Sequence, residues 1–156
     1  MYQRIMVPVD GSETATKALV AALQMARDTG GRVRLVHVLE EMAYLAGFEQ
    51  YAGYSADLLD LLREGANKVL DDALAIAQAA GVQADSVLFD DLGQRLAEVV
   101  AEAARQWQAD LIVVGTHGRR GVGRVLLGSG AEQILRLAPV PVLVIRSAPQ
   151  DGEQAA

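Results

Sequence analysis

Two kinds of apolar segment alternate along the chain. The first kind is short and rich in β-branched residues, which is typical of buried strands. Five such runs occur, at Arg4–Val9, Arg32–Leu39, Ser86–Phe89, Asp110–Val114 and Pro141–Ile145. Because strands that are apolar at nearly every position are buried on both faces, this pattern favours a parallel sheet covered by helices on both sides.

Longer segments rich in alanine and leucine lie between these runs, with the three- and four-residue spacing of amphipathic helices. Ser12 is the predicted N-cap of the first helix, and Pro139 ends the fourth. The four segments are Ala15–Ala26, Leu58–Ala77, Gln94–Gln108 and Ser129–Leu137. The sequence therefore predicts an α/β fold in which five strands and four helices alternate.

All of these elements are assigned to one domain. A length of 156 residues is ordinary for a single domain, and we assign residues 1–147 to it. The segment Glu40–Asp57 has no clear apolar period, so it is predicted to be an irregular excursion between the second strand and the second helix. The polar residues 148–156 are predicted to form a disordered tail.

The composition excludes several classes of protein. The 20 acidic and 14 basic residues give a net charge of −6, which argues against a nucleic-acid-binding surface. Cysteine is absent, which excludes disulfides, a thiol nucleophile and cysteine-ligated metal sites. No apolar run approaches the roughly 18 residues of a membrane span, and the N-terminus lacks the features of a secretory signal. We therefore expect a cytoplasmic protein with neither a membrane nor a nucleic-acid partner.

Candidate chemistry is expected at the carboxyl ends of the strands, where open parallel sheets bind ligands. The most informative segment runs from Gly115 to Gly130 and contains six glycines and three arginines. Glycines let backbone N–H groups approach a ligand, a helix N-terminus favours an anion, and arginines add positive charge. The segment therefore favours a phosphate cradle, and a flexible surface loop is the alternative. Neither the P-loop motif nor GxGxxG is present.

Three motifs occur in order along the chain. Gly115-Thr116-His117-Gly118 is followed by nine residues and then by Gly128-Ser129, which gives the spacing G-x2-G-x9-G-[ST]. Residues 5–12 read IMVPVDGS, and residues 138–146 read APVPVLVIR. Together these motifs resemble the ATP-binding branch of the universal stress protein family, in the order in which that family has them. The resemblance covers nearly the whole chain apart from the excursion and the tail.

The resemblance implies a Rossmann-like, open, doubly wound parallel sheet with five strands in the order 3-2-1-4-5. It also implies an ATP site with Mg²⁺ held through the phosphates. Pro8, Val9 and Asp10 would line its adenosine side, and the backbone of Val38 would meet the adenine edge. The residues implied for ribose and phosphates are Gly115, Thr116, His117, Gly118, Arg119, Arg120 and Gly121, with helix-terminal donors from Gly128, Ser129, Gly130 and Ala131.

The resemblance further implies a regulatory role in the stress response, through nucleotide-dependent conformation or partner contacts. It also implies a homodimer formed through the edge strand Val142–Arg146. No catalytic residues are evident, so we expect at most slow ATP hydrolysis or autophosphorylation. Two alternatives stay open, an ATP-utilising enzyme on the related adenine-nucleotide fold and an interaction module without nucleotide.

Several single residues have two interpretations. Asp10 either contacts the ligand, which we favour, or complements the dipole of the first helix. His37 and His117 are the only histidines, and we interpret them as one packed and one loop residue rather than as a metal site. Asp90-Asp91 is interpreted as part of a solvated turn. Ala131 stands where relatives often have Ser or Thr, so a hydroxyl there is expected to add a contact to a phosphate.

Overall fold

The predicted apolar runs form strands in the computed structural model, which describes residues 1–40, 56–91, 93–116 and 127–146. Strands and helices alternate from the first element to the last. They are β1 (Arg4–Pro8), α1 (Glu13–Thr29), β2 (Arg32–Val38), α2 (Ala56–Ala79), β3 (Ala84–Phe89), α3 (Leu96–Trp107), β4 (Leu111–Gly115), α4 (Ser129–Leu137) and β5 (Val142–Ile145). Most of the predicted excursion and all of the predicted tail lie outside the described residues, so those two predictions stay predictions.

The five strands form one all-parallel sheet in the order β3-β2-β1-β4-β5. The predicted doubly wound α/β fold and its strand order are therefore confirmed. Helices α1 and α2 cover one face of the sheet, and α3 and α4 cover the other. Because each crossover leaves the carboxyl end of a strand and returns to the amino edge, each of these helices begins near the carboxyl edge.

Side-chain alternation along β1 shows how one strand serves both faces. Ile5 and Val7 pack into the cluster beneath α1 and α2, whereas Met6 packs into the cluster beneath α3 and α4. All three side chains are fully buried. A strand that is buried on both faces has to be apolar at successive positions, which explains why this run is continuous rather than alternating.

The helix boundaries follow local chemistry. The Ser12 Oγ accepts a hydrogen bond from the Ala15 N–H (3.2 Å), which confirms the predicted N-cap. Gly30 ends α1 with a left-handed φ of 69°. Helix α3 begins at Leu96 rather than at Gln94, after an N-cap residue whose side chain makes no capping bond. No helix in the described ranges is long and apolar enough to cross a membrane.

The strand ends differ slightly from the prediction. Val9 and Pro141 lie just outside β1 and β5, and β3 begins earlier, at Ala84 rather than at Ser86. Pro141 has no N–H to donate, but its carbonyl accepts a hydrogen bond from the Ile112 N–H (3.0 Å). The pairing with β4 therefore begins one residue before β5 itself.

Candidate functional site

Strands β1 and β4 are paired with each other only near their amino-terminal ends. β1 is paired with β2 along all five of its residues, but with β4 at only two, the last being Met6 opposite Ile112. Beyond that pair, the two strands continue to their carboxyl ends without pairing with each other. This position is the topological switch point, because the strand order proceeds from β1 through β2 on one side and from β4 to β5 on the other. Open α/β sheets bind their ligands in the crevice at this point.

The end of β1 is fixed to β2 by two hydrogen bonds. The Val9 N–H donates to the Val36 carbonyl (2.9 Å), and the Val9 carbonyl lies 2.6 Å from Nδ1 of His37. A carbonyl oxygen only accepts, so Nδ1 of this buried histidine carries the proton. His37 therefore holds the turn after β1 in place, in agreement with its interpretation as a packed residue. Pro8 and Val36 form the last pair of β1 with β2, so Val38 lies beyond the end of that pairing.

Asp10 shapes the turn that leads into α1. Its Oδ1 accepts a hydrogen bond from the Ser12 N–H (2.9 Å), and Gly11 between them has a left-handed φ of 81°. This is the side-chain-to-backbone bond of an Asx turn. The carboxylate also lies at the positive end of the α1 dipole. The structure thus supports the helix-terminal role of Asp10, and its contact with a ligand stays a prediction.

Gly115 at the end of β4 is required by packing. A Cβ atom added there would lie 2.7 Å from the backbone carbonyl carbon and oxygen of Thr14 and 2.8 Å from its Cβ. Thr14 belongs to the first turn of α1 and is itself buried. Only glycine allows β4 to approach α1 this closely. Thr14 was not identified from the sequence, because nothing in its own neighbourhood signals contact with a residue 101 positions away.

Thr116 joins β4 to both β5 and α4. Its N–H donates to the Ile145 carbonyl (3.0 Å), and its own carbonyl accepts a hydrogen bond from the Gly128 N–H. The residue is 2% exposed, and its Oγ1 is buried without a hydrogen-bond partner in the part of the chain that the structure describes. An unsatisfied buried hydroxyl costs about 1–3 kcal/mol, so this oxygen is a place where a further polar group would be stabilising.

The first turn of α4 presents backbone N–H groups beside the end of β4. The N-cap residue is Gly128, which has no side chain to cap the helix. Glu132 is the first residue whose N–H donates to a carbonyl of this turn, that of Gly128 (3.0 Å). The N–H groups of Ser129, Gly130 and Ala131 have no acceptor among the described residues. Uncapped donors at the positive end of a helix are favourable for an anion.

Two observations bear on the phosphate contacts predicted for this turn, which stay predictions. The Gly128 N–H donates to the Thr116 carbonyl, so this N–H already has an acceptor without a phosphate. The Ala131 side chain is 7% exposed and packs with Ile134 in the cluster beneath α3 and α4. A side chain at position 131 therefore faces the core, and only its backbone N–H stays a candidate donor. Gly130 is close to α3, because an added Cβ would lie 3.3 Å from Cδ2 of Leu96.

The central part of the glycine-rich motif lies outside the described residues. The predicted site residues concerned are His117, Gly118, Arg119, Arg120 and Gly121. The end of β4 and the start of α4, which flank this segment in the sequence, are joined by the bond between Gly128 and Thr116. The roles predicted for the segment itself stay predictions.

Asp90, one of the two acidic residues after β3, forms an ion pair with Arg63 of helix α2. The Asp90 carboxylate accepts from Nε of Arg63 at 2.9 Å. Both side chains are substantially exposed, at 40% and 44% respectively, which agrees with a solvated turn. In the described ranges, no group of three or more histidine and acidic side chains has an arrangement that suits a metal ion.

The comparisons with known proteins agree on one family. The sequence model of the universal stress protein family matches residues 1–146. A universal stress protein of Thermus aquaticus is 34% identical over 146 residues, which are 94% of this chain and 100% of that protein. The crystal structure of a universal stress protein family member from Burkholderia pseudomallei is 38% identical with a TM-score of 0.74, covering 94% of this chain and 97% of that chain. The universal stress protein of Archaeoglobus fulgidus in complex with dAMP is 26% identical with a TM-score of 0.69, covering 92% and 98%.

Proposed function

The chain belongs to the universal stress protein family, and from that premise we propose that it binds an adenine nucleotide at the switch point between β1 and β4. We take the ligand to be ATP, with Mg²⁺ held through its phosphates. We take the role to be regulatory, through nucleotide-dependent conformation or partner contacts in the cytoplasm. The complex of the Archaeoglobus fulgidus relative with dAMP supports an adenine nucleotide as the class of ligand.

The observation that carries the proposal is the uncapped start of α4. Three successive N–H groups, from Ser129 to Ala131, lack an acceptor in the described part of the chain. The bond between Gly128 and Thr116 holds this helix end against the carboxyl end of β4. A phosphate there would satisfy the N–H groups and meet the positive end of the helix dipole.

We assign the other predicted residues to the parts of the nucleotide around that phosphate. Pro8, Val9 and Asp10 at the end of β1 are assigned to the adenosine side, and the Val38 backbone to the adenine edge. Gly115 and Thr116 lie on the β4 side of the crevice, where the buried hydroxyl of Thr116 has no hydrogen-bond partner among the described residues. Residues 117–121 are assigned to ribose and phosphates on the strength of the family motif.

We assign no catalytic residue in this site. Catalysis by acid or base requires a titratable group that is positioned on the reacting atoms. Asp10 accepts from the Ser12 N–H, and His37 donates to the Val9 carbonyl, so each has a structural contact that fixes its position. We propose that the protein has at most slow ATP hydrolysis or autophosphorylation, as expected from the sequence.

We further propose a homodimer formed through the outer edge of β5. Among the described strands, β5 is paired only with β4, and Leu143 is 36% exposed. An apolar edge strand favours pairing with another chain, and a symmetric copy pairs Val142–Arg146 in a closed assembly. Light scattering at micromolar concentration is expected to give twice the monomer mass of 16.6 kDa, and a monomer would contradict this assignment.

Ser129 allows a direct test of the phosphate position. Ser129→Pro removes the N–H of the first residue in α4, a position where proline is well tolerated. Gly128 has φ −65° and ψ 154°, the extended conformation that a residue before proline requires. Ser129→Ala is the matched control, because it removes the hydroxyl and keeps the N–H. One hydrogen bond to a charged oxygen contributes about 1.5–3 kcal/mol.

Calorimetry with ATP is therefore expected to show roughly 10- to 100-fold weaker binding for Ser129→Pro than for Ser129→Ala. Circular dichroism melting checks that both variants stay folded. Equal affinities in the two variants would place the phosphates elsewhere. Mass spectrometry of small molecules released from the purified parent protein tests the ligand class. If no adenine nucleotide is released and none binds at millimolar concentration, the protein is an interaction module without nucleotide.

A further inference from the structure

Three arginine side chains surround the indole of Trp107 at the amino edge of the sheet, the end opposite the crevice. Their Cζ atoms lie 5.0 Å (Arg4), 5.7 Å (Arg32) and 4.9 Å (Arg34) from the centroid of the ring. Trp107 is the last residue of α3 and is 7% exposed. Cation–π attraction accounts for part of this arrangement. The arrangement nevertheless places three positive charges together in a chain whose net charge is −6.

The strand register explains why the three cations share one face. Arg4 and Arg32 are Cα partners in β1 and β2, so their side chains lie on the same side, and Arg34 follows two residues later on that side. Further along the same face, Met6 and Val36 are buried beneath α3 and α4. The face is therefore apolar where the helices cover it and cationic at its amino edge.

Among the described residues, only one of these guanidinium groups has a carboxylate partner. Arg34 donates to Asp85 through Nε (2.8 Å) and Nη2 (2.7 Å). Arg4 and Arg32 form no ion pair within the described ranges, and Nε of Arg4 is buried there without a hydrogen-bond partner. The Asp110 carboxylate accepts the backbone N–H groups of Gln3 (2.8 Å) and Arg4 (3.0 Å), and it forms no ion pair with a guanidinium group in the described ranges.

We propose that Arg4 and Arg32 form a second anion site, which takes a phosphate group at the amino edge of the sheet. Both side chains are partly exposed, so a solute reaches them from solvent. Neither guanidinium group forms an ion pair in the described ranges, so the two together match the charge of a phosphate dianion, and their planar forks suit its oxygens. This site is independent of the proposed nucleotide site, since it uses other residues at the other edge of the sheet.

A purely structural account of the cluster makes a different prediction. In that account, the indole and the negative end of the α3 dipole suffice to hold the arginines. Added phosphate then has no specific effect beyond that of ionic strength. The two accounts are distinguished by a signal that arises at the cluster itself.

Trp107 supplies that signal, because it is the only tryptophan in the chain. We would titrate the full chain with inorganic phosphate at constant ionic strength, following tryptophan fluorescence, with sodium chloride as the reference titrant. Glycerol phosphate forms a second arm. We expect a saturable change with inorganic phosphate. An equal response to glycerol phosphate identifies the group carried on a larger molecule as a ligand, and a response to inorganic phosphate alone identifies the free ion.

Arg32→Gln is expected to weaken phosphate binding at least tenfold, and Arg32→Lys to weaken it less, because lysine keeps the charge but loses the fork. Arg4→Gln is the second variant, should Arg32→Gln fail to fold. Arg136→Gln is the matched control, since Arg136 is an exposed residue paired with Glu132 on α4, and its binding is expected to be unchanged.

The proposal is overturned by a fluorescence response that matches chloride, or by unchanged phosphate binding in both Arg32→Gln and Arg4→Gln. ATP affinity is measured in the same variants. Loss of ATP binding in Ser129→Pro with an unaltered phosphate titration would show that the two sites are separate. If the protein does not bind ATP at all, the expected phosphate titration at Arg4 and Arg32 is unchanged.

Discussion

At the carboxyl edge of the sheet, the described donors available to an anion are backbone N–H groups at the start of α4. At the amino edge, they are the guanidinium groups of Arg4 and Arg32. The difference follows from chain direction. In a parallel α/β fold, helices begin at the carboxyl edge and end at the amino edge, so the positive helix ends lie at one edge and the negative ends at the other. An anion site at the amino edge therefore needs side-chain cations, and the negative helix ends help to stabilise them.

The two edges also differ in how much change they tolerate. At the carboxyl edge, β4 approaches the backbone of α1 so closely that Gly115 has no room for a Cβ atom. At the amino edge, Gly31 is also close to backbone, because an added Cβ would lie 2.9 Å from the Gln3 carbonyl oxygen. Gln3, however, is exposed and lies ahead of β1, whereas Thr14 is buried in α1. A shift of Gln3 away from Gly31 would strain the hydrogen bond that its carbonyl accepts from the Arg32 N–H (2.9 Å).

Gly115→Ala is expected to have the largest effect. A Cβ atom at 2.7 Å from the Thr14 backbone forces β4 and α1 apart, and we expect a loss of about 3 kcal/mol or more in the free energy of unfolding. Gly31→Ala is expected to cost less, about 1–2 kcal/mol, because the neighbour it displaces is an exposed residue held by a few hydrogen bonds rather than the buried backbone of a helix. Urea denaturation of both variants measures the difference. Equal losses would show that the two edges are equally rigid.

Much of the fold was predictable from the sequence because its determinants are local. Continuous apolar strands, helical spacing and the Ser12 cap each depend on residues a few positions apart, and the strand order followed from the family resemblance. The arginine cluster around Trp107 was not predictable in this way. It requires the register of β1 with β2 and the position at which α3 ends, and these are set by packing across the whole sheet.

The candidate site was predictable to a smaller extent. The sequence placed Gly128 and Ala131 at the start of α4, but it did not show what their groups contact. Helix α4 has nine residues, and the face it buries depends on its packing against α3. The burial of Ala131 and the bond from Gly128 to Thr116 are consequences of that packing. The burial of Ala131 argues against the expected benefit of a hydroxyl at position 131, which stays a prediction.

Ala131→Thr therefore has a smaller expected effect, on stability rather than on affinity. The added methyl and hydroxyl groups enter a packed cluster beside Ile134, which we expect to lower the free energy of unfolding by about 1–3 kcal/mol. ATP affinity is expected to stay within about threefold, because the backbone N–H is retained. Gln133→Thr is the control, since Gln133 is exposed on the same helix and should lose only about 0.5 kcal/mol of helix propensity. Tighter ATP binding by Ala131→Thr would show that this side chain reaches the ligand.

Asp85→Asn has the smallest expected effect on stability and is specific to the amino edge. The hydrogen bonds from Arg34 lower the pKa of the Asp85 carboxyl below its ordinary value of 3.8, and the charges of Arg34, Arg32 and Arg4 act in the same direction. Because the folded-state pKa is the lower one, the stabilisation is present above the ordinary pKa and is lost as the pH falls through the folded-state pKa. The Asp85 side chain is 54% exposed, so we expect a loss of only about 0.5 kcal/mol at neutral pH.

Urea denaturation at pH 7 and again below pH 3.8 measures this loss, which is expected to shrink at the lower pH and in high salt. Asp72→Asn is the control, because Asp72 faces Lys68 at 3.7 Å on an exposed part of α2. Asp85→Asn also tests the proposed anion site. It removes the carboxylate partner of Arg34, so phosphate binding at the amino edge should tighten a few-fold while ATP affinity stays unchanged. If phosphate binding does not respond, Arg34 does not contribute to the anion site, which then consists of Arg4 and Arg32 alone.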